Sequence, residues 1–248
     1  MKSPMPHSLT EQTLNQQQLN QKDDHLKPTQ SSTLHHDTSI PPVNSAPLTV
    51  EAQHSQQKQA TQKLIALYCG SRFGNNPIYK EKAIQLAENI AQKGFGIVYG
   101  GASIGLMGQV ADSVIAQGGE VVGVIPSFML DYEIAHSALT ELHVVRTMHE
   151  RKALMAERAS AFVALPGGLG TFEEILEIAT WGQLNQHQKP IIIYNVNRFY
   201  DALIAQLDHA VEEGFLPPQH RSKIIVCEHS EQILNAIKNL GCPAEFVV

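Results

Sequence analysis

The sequence AFVALPGGLGTFEE, residues 161–174, joins an apolar run to an amphipathic run through a turn rich in glycine. The apolar residues 161–165 are typical of a buried strand, and the apolar spacing that begins at Phe172 predicts a helix over residues 171–184. Glycines let a ligand approach the backbone closely, and the first N–H groups of a helix have no acceptor within it. The stretch therefore predicts a strand–turn–helix unit whose turn binds an anion, above all a phosphate.

The same alternation continues along the rest of the chain. Short apolar runs occupy residues 64–69, 95–99, 121–125, 142–145, 190–194 and 224–226. Segments of helical length and spacing lie between most of these runs. Strands that are apolar throughout are buried on both faces, as in a parallel sheet. We therefore predict an α/β fold, a doubly wound and mostly parallel sheet of modified Rossmann type with helices on both faces, in a single domain over residues 61–248.

Composition and charge set limits on the function. Residues 1–60 are rich in Gln, His, Ser, Thr and Pro, which predicts a disordered polar tail. The formal net charge of −6 over 248 residues gives no support for a nucleic-acid partner. No apolar run reaches the roughly 18 residues of a membrane span, so we expect no membrane partner and no secretory signal. The three cysteines lack metal-ligand spacing, and we interpret them as reduced thiols of a cytoplasmic protein.

Turns that follow the predicted strands carry most of the glycines. In doubly wound sheets, ligands bind beyond the carboxyl ends of the strands. The turns expected to meet there in one cleft are Cys69-Gly70-Ser71, Gly100-Gly101, Pro126 and Pro166-Gly167-Gly168. The loop 100–108 has an alternative explanation as tight strand–helix packing. Neither glycine loop ends as a P-loop does, and Glu173 stands where a dinucleotide fingerprint has its third glycine, so both of those ligand classes are disfavoured.

Four charged residues near these turns each have a structural alternative. Glu174 stands three residues after Thr171, the spacing of a capping box, so it could cap its helix instead of acting on a ligand. Glu173 could complement the helix dipole as a first-turn acid. Arg151 and Lys152 open another predicted helix, where the dipole disfavours positive charge. They indicate either an anionic ligand or an ordinary solvated pair.

Taken together, these motifs resemble the Lonely Guy family, the cytokinin riboside 5′-monophosphate phosphoribohydrolases. Residues 166–174 meet the family signature P-G-G-x-G-T-x-x-E at every specified position, and Arg151-Lys152 matches the family's Arg-Lys helix start. Further segments that resemble the family are 68–79, 100–108 and 133–136. Arg72 departs from the family, which often has a small residue there. Its side chain either alters a phosphate or base contact or faces solvent.

The resemblance implies hydrolysis of the N-glycosidic bond of a nucleoside 5′-monophosphate, releasing free base and ribose 5-phosphate without a metal or organic cofactor. It implies catalytic roles for Arg151 and Glu174, and a homodimer. The implied substrate contacts are Gly70, Ser71, Gly101, Glu133, Lys152, Gly167, Gly168, Leu169, Gly170, Thr171, Phe172 and Glu173. A broad-specificity nucleotide nucleosidase and a non-catalytic nucleotide-binding or carrier protein remain alternatives. The label lysine decarboxylase, given to some relatives, has no pyridoxal-binding lysine in the sequence to support it.

Overall fold

A computed structural model describes residues 63–130 and 134–240 of the chain. The predicted polar tail, residues 1–60, and the predicted substrate contact Glu133 lie outside the described residues. The strands are β1 (Leu64–Tyr68), β2 (Gly96–Tyr99), β3 (Val121–Pro126), β4 (Glu141–Val145), β5 (Ala159–Ala164), β6 (Ile191–Tyr194) and β7 (Ile224–Cys227). The helices are α1 (Ile78–Gln92), α2 (Gly105–Ala116), α3 (Met148–Arg158), α4 (Leu169–Gln183), α5 (Asp201–Glu212), α6 (Pro218–Arg221) and α7 (Ser230–Leu240).

All seven strands belong to one sheet in the order β4-β3-β2-β1-β5-β6-β7, and every neighbouring pair is parallel. The predicted α/β fold is confirmed, and each strand lies within two residues of a predicted apolar run. The order of the strands reverses between β1 and β5, where Tyr68 pairs with Ala164. A reversal of this kind opens a crevice at the carboxyl ends of the two strands. The crevice therefore lies between the turns that follow β1 and β5.

Two hydrophobic clusters, one on each face of the sheet, hold the layers together. Helices α1, α2 and α7 supply side chains to the first cluster, with Ile65 and Ile97 of the sheet fully buried. Helices α3, α4 and α5 pack over the other face, around Phe162 and Met155. A side chain of this size contributes about 1.5–3 kcal/mol when it is fully buried. Among the described residues, no helix has the length and apolar character that a membrane crossing requires.

Backbone hydrogen bonds tie the turns at the switch point to one another. The N–H of Gly70 donates to the carbonyl of Pro166 over 3.1 Å, and the N–H of Leu106 donates to the carbonyl of Gly70 over 3.1 Å. The buried hydroxyl of Tyr200 donates to the carbonyl of Leu165 over 2.6 Å. These bonds hold the turn after β5 against the turn after β1 and the start of α2. The glycine turns are thereby fixed in position before any ligand arrives.

Candidate active site

A cavity of about 290 Å³ lies at the carboxyl ends of the strands, beside the switch point. Its lining residues are Leu67, Cys69, Gly70, Ser71, Gly100, Met107, Met129, Met148, Arg151, Gly168, Leu169, Gly170, Thr171, Glu173 and Glu174. Turns after β1, β2 and β5 all contribute to this wall. The turn after β3 contributes Met129 through a short 3-10 turn that follows Pro126. The predicted convergence of these four turns on one cleft is therefore confirmed.

The glycine turn after β5 forms a cradle at the start of α4. Helix α4 begins at Leu169 with Gly168 as its N-cap, so the N–H groups of the first turn have no acceptor within the helix. A Cβ on Gly167 would lie 2.1 Å from Thr171 Oγ1, so only glycine lets that hydroxyl sit over the turn. A Cβ on Gly168 or Gly170 would meet nothing within 4 Å. Protein packing thus does not demand glycine at these two positions, which leave room for a ligand.

Glu174 is not part of a capping box, contrary to one of the two interpretations of the sequence. The extended backbone of Gly168 ends the turn, so α4 starts two residues earlier than predicted and Thr171 is its third residue. Glu174 therefore lies in the second turn, where it is 9% exposed and lines the cavity. A carboxylate in that place is close to a ligand bound at the cradle. The helix dipole alone does not explain it.

A true helix-capping arrangement occurs instead at the start of α3. The side chain of Thr147 accepts a hydrogen bond from the N–H of Glu150 over 3.1 Å. The carboxylate of Glu150 accepts in turn from the N–H of Arg146 over 2.8 Å. The first bond satisfies a donor of the first turn and the second holds the residue before the cap, so together they anchor the helix that carries Arg151. The spacing of Thr147 and Glu150 in the sequence is the signal that would have identified this cap.

Arg151 projects into the cavity from α3 and is 6% exposed, so it is not a solvated surface cation. Its Nη1 lies 3.7 Å from the sulfur of Met129 and 3.9 Å from the sulfur of Met148. A Cβ on Gly100 would lie only 2.0 Å from Nη2, so the guanidinium rests against the backbone of that glycine. Its Nε is buried without a hydrogen-bond partner among the described residues. Buried donors are normally satisfied, so the protein around Arg151 does not match all the donors of its guanidinium.

Lys152 follows Arg151 in sequence, yet the structure does not bring it to the cavity. Its ammonium binds the carboxylate of Glu173 and lies 3.0 Å from that of Glu177, both on α4. Burial disfavours its charge, but the hydrogen bonds and charges of the two carboxylates outweigh burial and raise the pKa of Lys152. Its positive charge is therefore matched within the protein rather than by a substrate. The ion pairs join α3 to α4, the helices that carry Arg151 and Glu174.

Two other predicted contacts also lie away from the cavity. Gly101 has a φ of +80°, and a Cβ there would lie 3.4 Å from side chains of Ile125 and Leu142, so it faces the sheet. Gly100, the preceding residue of the same turn, lines the cavity instead. Phe172 points into the core, where its ring packs 5.9 Å from the ring of Tyr200. Its N–H already donates to the carbonyl of the residue that caps α4.

The polar residues that follow β3 do not reach the cavity within the described part of the chain. His136 is buried, and its Nε2 lies 3.0 Å from a carboxylate oxygen of Asp112 on α2. Its Nδ1 accepts a hydrogen bond from the N–H of Ala138. With both ring nitrogens engaged, His136 holds the loop against α2. Nor do the described residues include three or more His, Cys, Asp or Glu side chains grouped to hold a metal ion.

The buried thiol and phenol beside Glu174 are unsuited to nucleophilic attack. Burial raises the pKa of Cys69, and the charge of Glu174 raises it further against a smaller opposing effect of Arg151. Burial likewise raises the pKa of Tyr68, with the charges of Glu174 and Glu177 adding to the effect. Both groups stay protonated at neutral pH, and a protonated thiol is not a nucleophile. Neither group is therefore a candidate nucleophile, and Glu173 and Glu174 are the carboxylates among the residues that line the cavity.

Three methionines that the sequence did not single out form the apolar end of the cavity. Met107, Met129 and Met148 come from α2, from the 3-10 turn after β3 and from the start of α3. Methionine is flexible and polarizable, and it packs well against planar rings. The position of Met148 at the helix start that carries Arg151 was the available signal. Met107 lies in α2 and Met129 in the 3-10 turn, and the sequence does not show that these two elements meet the start of α3.

The sequence matches a family model and several curated relatives. A family model described as "Possible lysine decarboxylase" matches residues 107–237. The cytokinin riboside 5′-monophosphate phosphoribohydrolase of Rhodococcoides fascians is 46% identical over 186 residues, which cover 75% of this chain and 94% of that protein. The Arabidopsis thaliana cytokinin riboside 5′-monophosphate phosphoribohydrolase LOG7 is 43% identical over 176 residues, which cover 71% of this chain and 81% of that protein.

Solved structures share the fold at lower identity. The molybdenum cofactor binding protein of Rippkaea orientalis has a TM-score of 0.55 and 21% identity over 73% of this chain and 98% of its own. The Moco carrier protein of Chlamydomonas reinhardtii has a TM-score of 0.54 and 20% identity, and the match covers 72% of this chain and 97% of that protein. At such identities the likeness concerns the doubly wound fold alone.

Proposed function

The chain belongs to the family of the cytokinin riboside 5′-monophosphate phosphoribohydrolases, and from that premise we propose that it hydrolyses nucleoside 5′-monophosphates. Water cleaves the N-glycosidic bond, and the products are a free base and ribose 5-phosphate. The observation that carries the proposal is the cavity in which the buried Arg151 and the buried Glu174 flank a glycine cradle. The cradle suits the 5′-phosphate, and the cation and the carboxylate suit the ribose and the departing base.

The 5′-phosphate fits the cradle at the start of α4. The N–H groups of Leu169, Gly170 and Thr171 are first-turn donors with no acceptor in the helix. The hydroxyl of Thr171 lies over Gly167, at the inner side of the same turn. Ser71, from the turn after β1, also lines the cavity. A phosphate held by these groups places the ribose in the cavity, towards Glu174.

Glu174 acts on the ribose as the bond to the base breaks. Positive charge grows on the sugar in the transition state of such cleavages, and a nearby carboxylate stabilises it. The carboxylate also orients the attacking water. The base leaves with the electron pair of the N-glycosidic bond, the water oxygen bonds to C1′, and the proton released from water ends on the base. Removing a single electrostatic group of this kind typically slows a reaction about 100- to 1000-fold.

Arg151 serves as the partner of Glu174. Its guanidinium is charged at every physiological pH and offers several donors in one plane. The guanidinium, which lines the cavity, supplies hydrogen bonds to the substrate, either to a ribose hydroxyl or to the departing base. Met129 and Met148 lie against the same guanidinium and provide an apolar surface for the base. Glu173 supports the site by holding Lys152, and thus α3, against α4.

A pyridoxal-dependent lysine decarboxylase does not fit these residues. Such an enzyme needs a lysine that loses its proton and forms a Schiff base. Lys152 has a raised pKa and is held by Glu173 and Glu177. Burial lowers the pKa of Lys189, but its ammonium donates a hydrogen bond to the carbonyl of Ala156 over 2.7 Å. Lys189 also lies in the segment that leads into β6, and not at the carboxyl ends of the strands.

We also propose that the enzyme is a homodimer in which a second copy covers the edge of the sheet at β4. Leu142 and Val144 of this strand are 40% and 53% exposed, although both are apolar. Phe128 and Ile134, exposed at 52% and 71%, lie in the neighbouring segment that also carries the cavity residue Met129. Exposed apolar surface of this kind marks an interaction site. Light scattering should give the mass of a dimer, and the change Val144→Glu should give monomers; a monomeric wild type would contradict the proposal.

The proposal extends to the catalytic unit and its location. We assign catalysis to residues 61–248 as one domain. The cytoplasm is the expected location, because Cys69 and Cys227 are free and buried thiols, which is the usual state in a reducing compartment.

Release of free base from nucleotides tests the proposed function. Purified protein is incubated with AMP and with an N6-prenylated AMP, and the base is separated and quantified. The proposal predicts free base and an equal amount of ribose 5-phosphate from at least one of the two. Rates with GMP and CMP then separate a cytokinin enzyme from a broad-specificity nucleosidase. The absence of base from every nucleoside monophosphate would overturn the proposal.

A further inference from the structure

A second cavity, of about 420 Å³, adjoins the candidate active site across the glycine turns. Gly70, Ser71 and Gly168 line both cavities and form the neck between them. The second cavity is the larger of the two, and neither Arg151 nor Glu174 lines it. It lies between the start of α1 and the segment that follows β6, whereas Arg151 and Glu174 lie on the other side of the neck.

Aromatic rings form the walls of the second cavity. The rings of Tyr79 and Phe199 meet edge to face, with centroids 5.7 Å apart. Phe73 stands at the rim and is 45% exposed. Gly74 has a φ of +74°, and a Cβ there would lie 2.9 Å from the ring of Tyr79, so a glycine is needed for the turn to close over this ring. Such walls suit a planar aromatic group, which stacks on phenyl and phenol rings.

The charge of the lining favours an anion at the neck. Arg72 contributes the one charged side chain among the lining residues of this cavity within the described part of the chain, and no carboxylate lines it. Arg72 follows Ser71 directly, so it enters this cavity from the same turn that forms the neck. With an aromatic wall, a cation and no acid, this cavity is built to bind and not to hydrolyse.

We infer that the second cavity holds the distal half of a pyrophosphate-linked dinucleotide. This inference rests on the proposed function, which places the 5′-phosphate of one nucleotide at the cradle and its ribose towards Glu174. The remaining phosphate oxygens then face the neck at Gly70, Ser71 and Gly168. A second phosphate attached there meets Arg72, and the second base stacks among the aromatic rings that line the cavity, Phe73, Tyr79 and Phe199.

The topology of the sheet supports this ligand class. Dinucleotides bind across the crevice at the switch point of doubly wound sheets, and the two cavities lie side by side at the switch point between β1 and β5. The glycine fingerprint of such sites is absent from the sequence, since Glu173 replaces its third glycine. Here the pyrophosphate would instead contact the cradle of α4 and Arg72.

Competition with AMP hydrolysis tests the inference on the wild-type protein. Base release is measured from AMP labelled in its adenine, with unlabelled ADP or diadenosine 5′,5′-diphosphate as competitor. Because stacking of one additional base strengthens binding by about tenfold or more, the dinucleotide should inhibit at about one-tenth of the concentration that ADP requires. Phe73→Ala should weaken inhibition by the dinucleotide about fivefold while the KM for AMP stays within about twofold of its wild-type value.

Phe215→Ala is the matched control, because Phe215 is 87% exposed and lies outside both cavities. It should change neither inhibition nor KM. Equal inhibition by ADP and the dinucleotide would overturn the inference, and so would an equal effect of Phe73→Ala on AMP and the dinucleotide. If the wild-type protein releases base from no nucleoside 5′-monophosphate, the proposed function fails; where only N6-prenylated AMP releases base, that nucleotide replaces AMP as the substrate of the competition. If it releases base but the dinucleotide inhibits no better than ADP, this inference alone fails.

Discussion

Adding one methyl group at Gly100 should displace Arg151 and suppress the reaction. A Cβ at this position would lie 2.0 Å from Arg151 Nη2, 3.2 Å from its Cζ and 3.2 Å from the sulfur of Met107. The φ of Gly100 lies outside the left-handed region, so alanine brings no backbone strain of its own. Non-bonded atoms need separations of about 3.5 Å. The guanidinium must therefore retreat by about 1 Å or more in the variant Gly100→Ala.

The expected magnitude follows from that displacement. A misplacement of about 1 Å in a positioning group lowers a rate about 100-fold. Crowding in a packed site lowers the free energy of unfolding by about 1–3 kcal/mol, which a domain of ordinary stability tolerates. We therefore expect a folded protein whose kcat/KM for base release falls about 100-fold.

The assay compares kcat/KM for base release, the circular dichroism spectrum and the midpoint of thermal unfolding. Gly182→Ala is the control: its Cβ would lie 3.2 Å from a flexible methyl group of Ile191, in the last turn of α4 and away from the cavity. It should keep wild-type activity. If Gly100→Ala keeps kcat/KM within about threefold of the wild type, about 0.7 kcal/mol in the barrier, contact of Arg151 with this backbone is not needed and the reasoning is refuted.

Three further predictions concern the cradle, the helix contact and pH. Gly170→Ala should stabilise the start of α4 by up to about 1 kcal/mol, since its Cβ meets nothing in the protein, yet raise the KM for AMP; a lower KM would contradict the cradle. Lys152→Met removes the ion pairs with Glu173 and Glu177. It should lower kcat, and it should lower the free energy of unfolding measured in urea by about 1–3 kcal/mol. An unchanged kcat would show that the reaction does not need this link between α3 and α4. Burial raises the pKa of Cys69 above its ordinary value of 9.0, so the thiol loses its proton at a lower pH in the unfolded chain than in the folded protein. The free energy of unfolding should therefore fall as pH rises above that value. Urea titrations that show a rise instead would contradict the burial of the thiol.

The strands and the glycine turns could be predicted from the sequence because each depends on local properties. An apolar run such as 161–165 is buried on both faces wherever it lies in a parallel sheet, and its strand appears as predicted. The start of α4 was missed because Gly168 and Gly170 place no side chains that would mark the boundary. The predicted capping box failed for the same reason, and Glu174 moved from the helix start into the cavity wall.

Neighbouring residues of like character could not be assigned from the sequence. Arg151 and Lys152 are both cations, but successive residues of a helix point about 100° apart. One therefore enters the cavity, while the other meets Glu173 on α4. Gly100 and Gly101 differ in the same way, because the turn directs one towards Arg151 and the other towards the sheet. Only the packing of whole elements decides between such pairs.

Turnover by the variant Glu174→Gln tests the central claim most directly. Glutamine has the size of glutamate but lacks the negative charge that stabilises the developing positive charge on the ribose. The account predicts that this variant binds AMP with an affinity close to that of the wild type, while base release falls about 100-fold or more. A nucleotide carrier without catalytic function would bind AMP and release no base even as the wild type. Base release by Glu174→Gln at the wild-type rate would contradict the account.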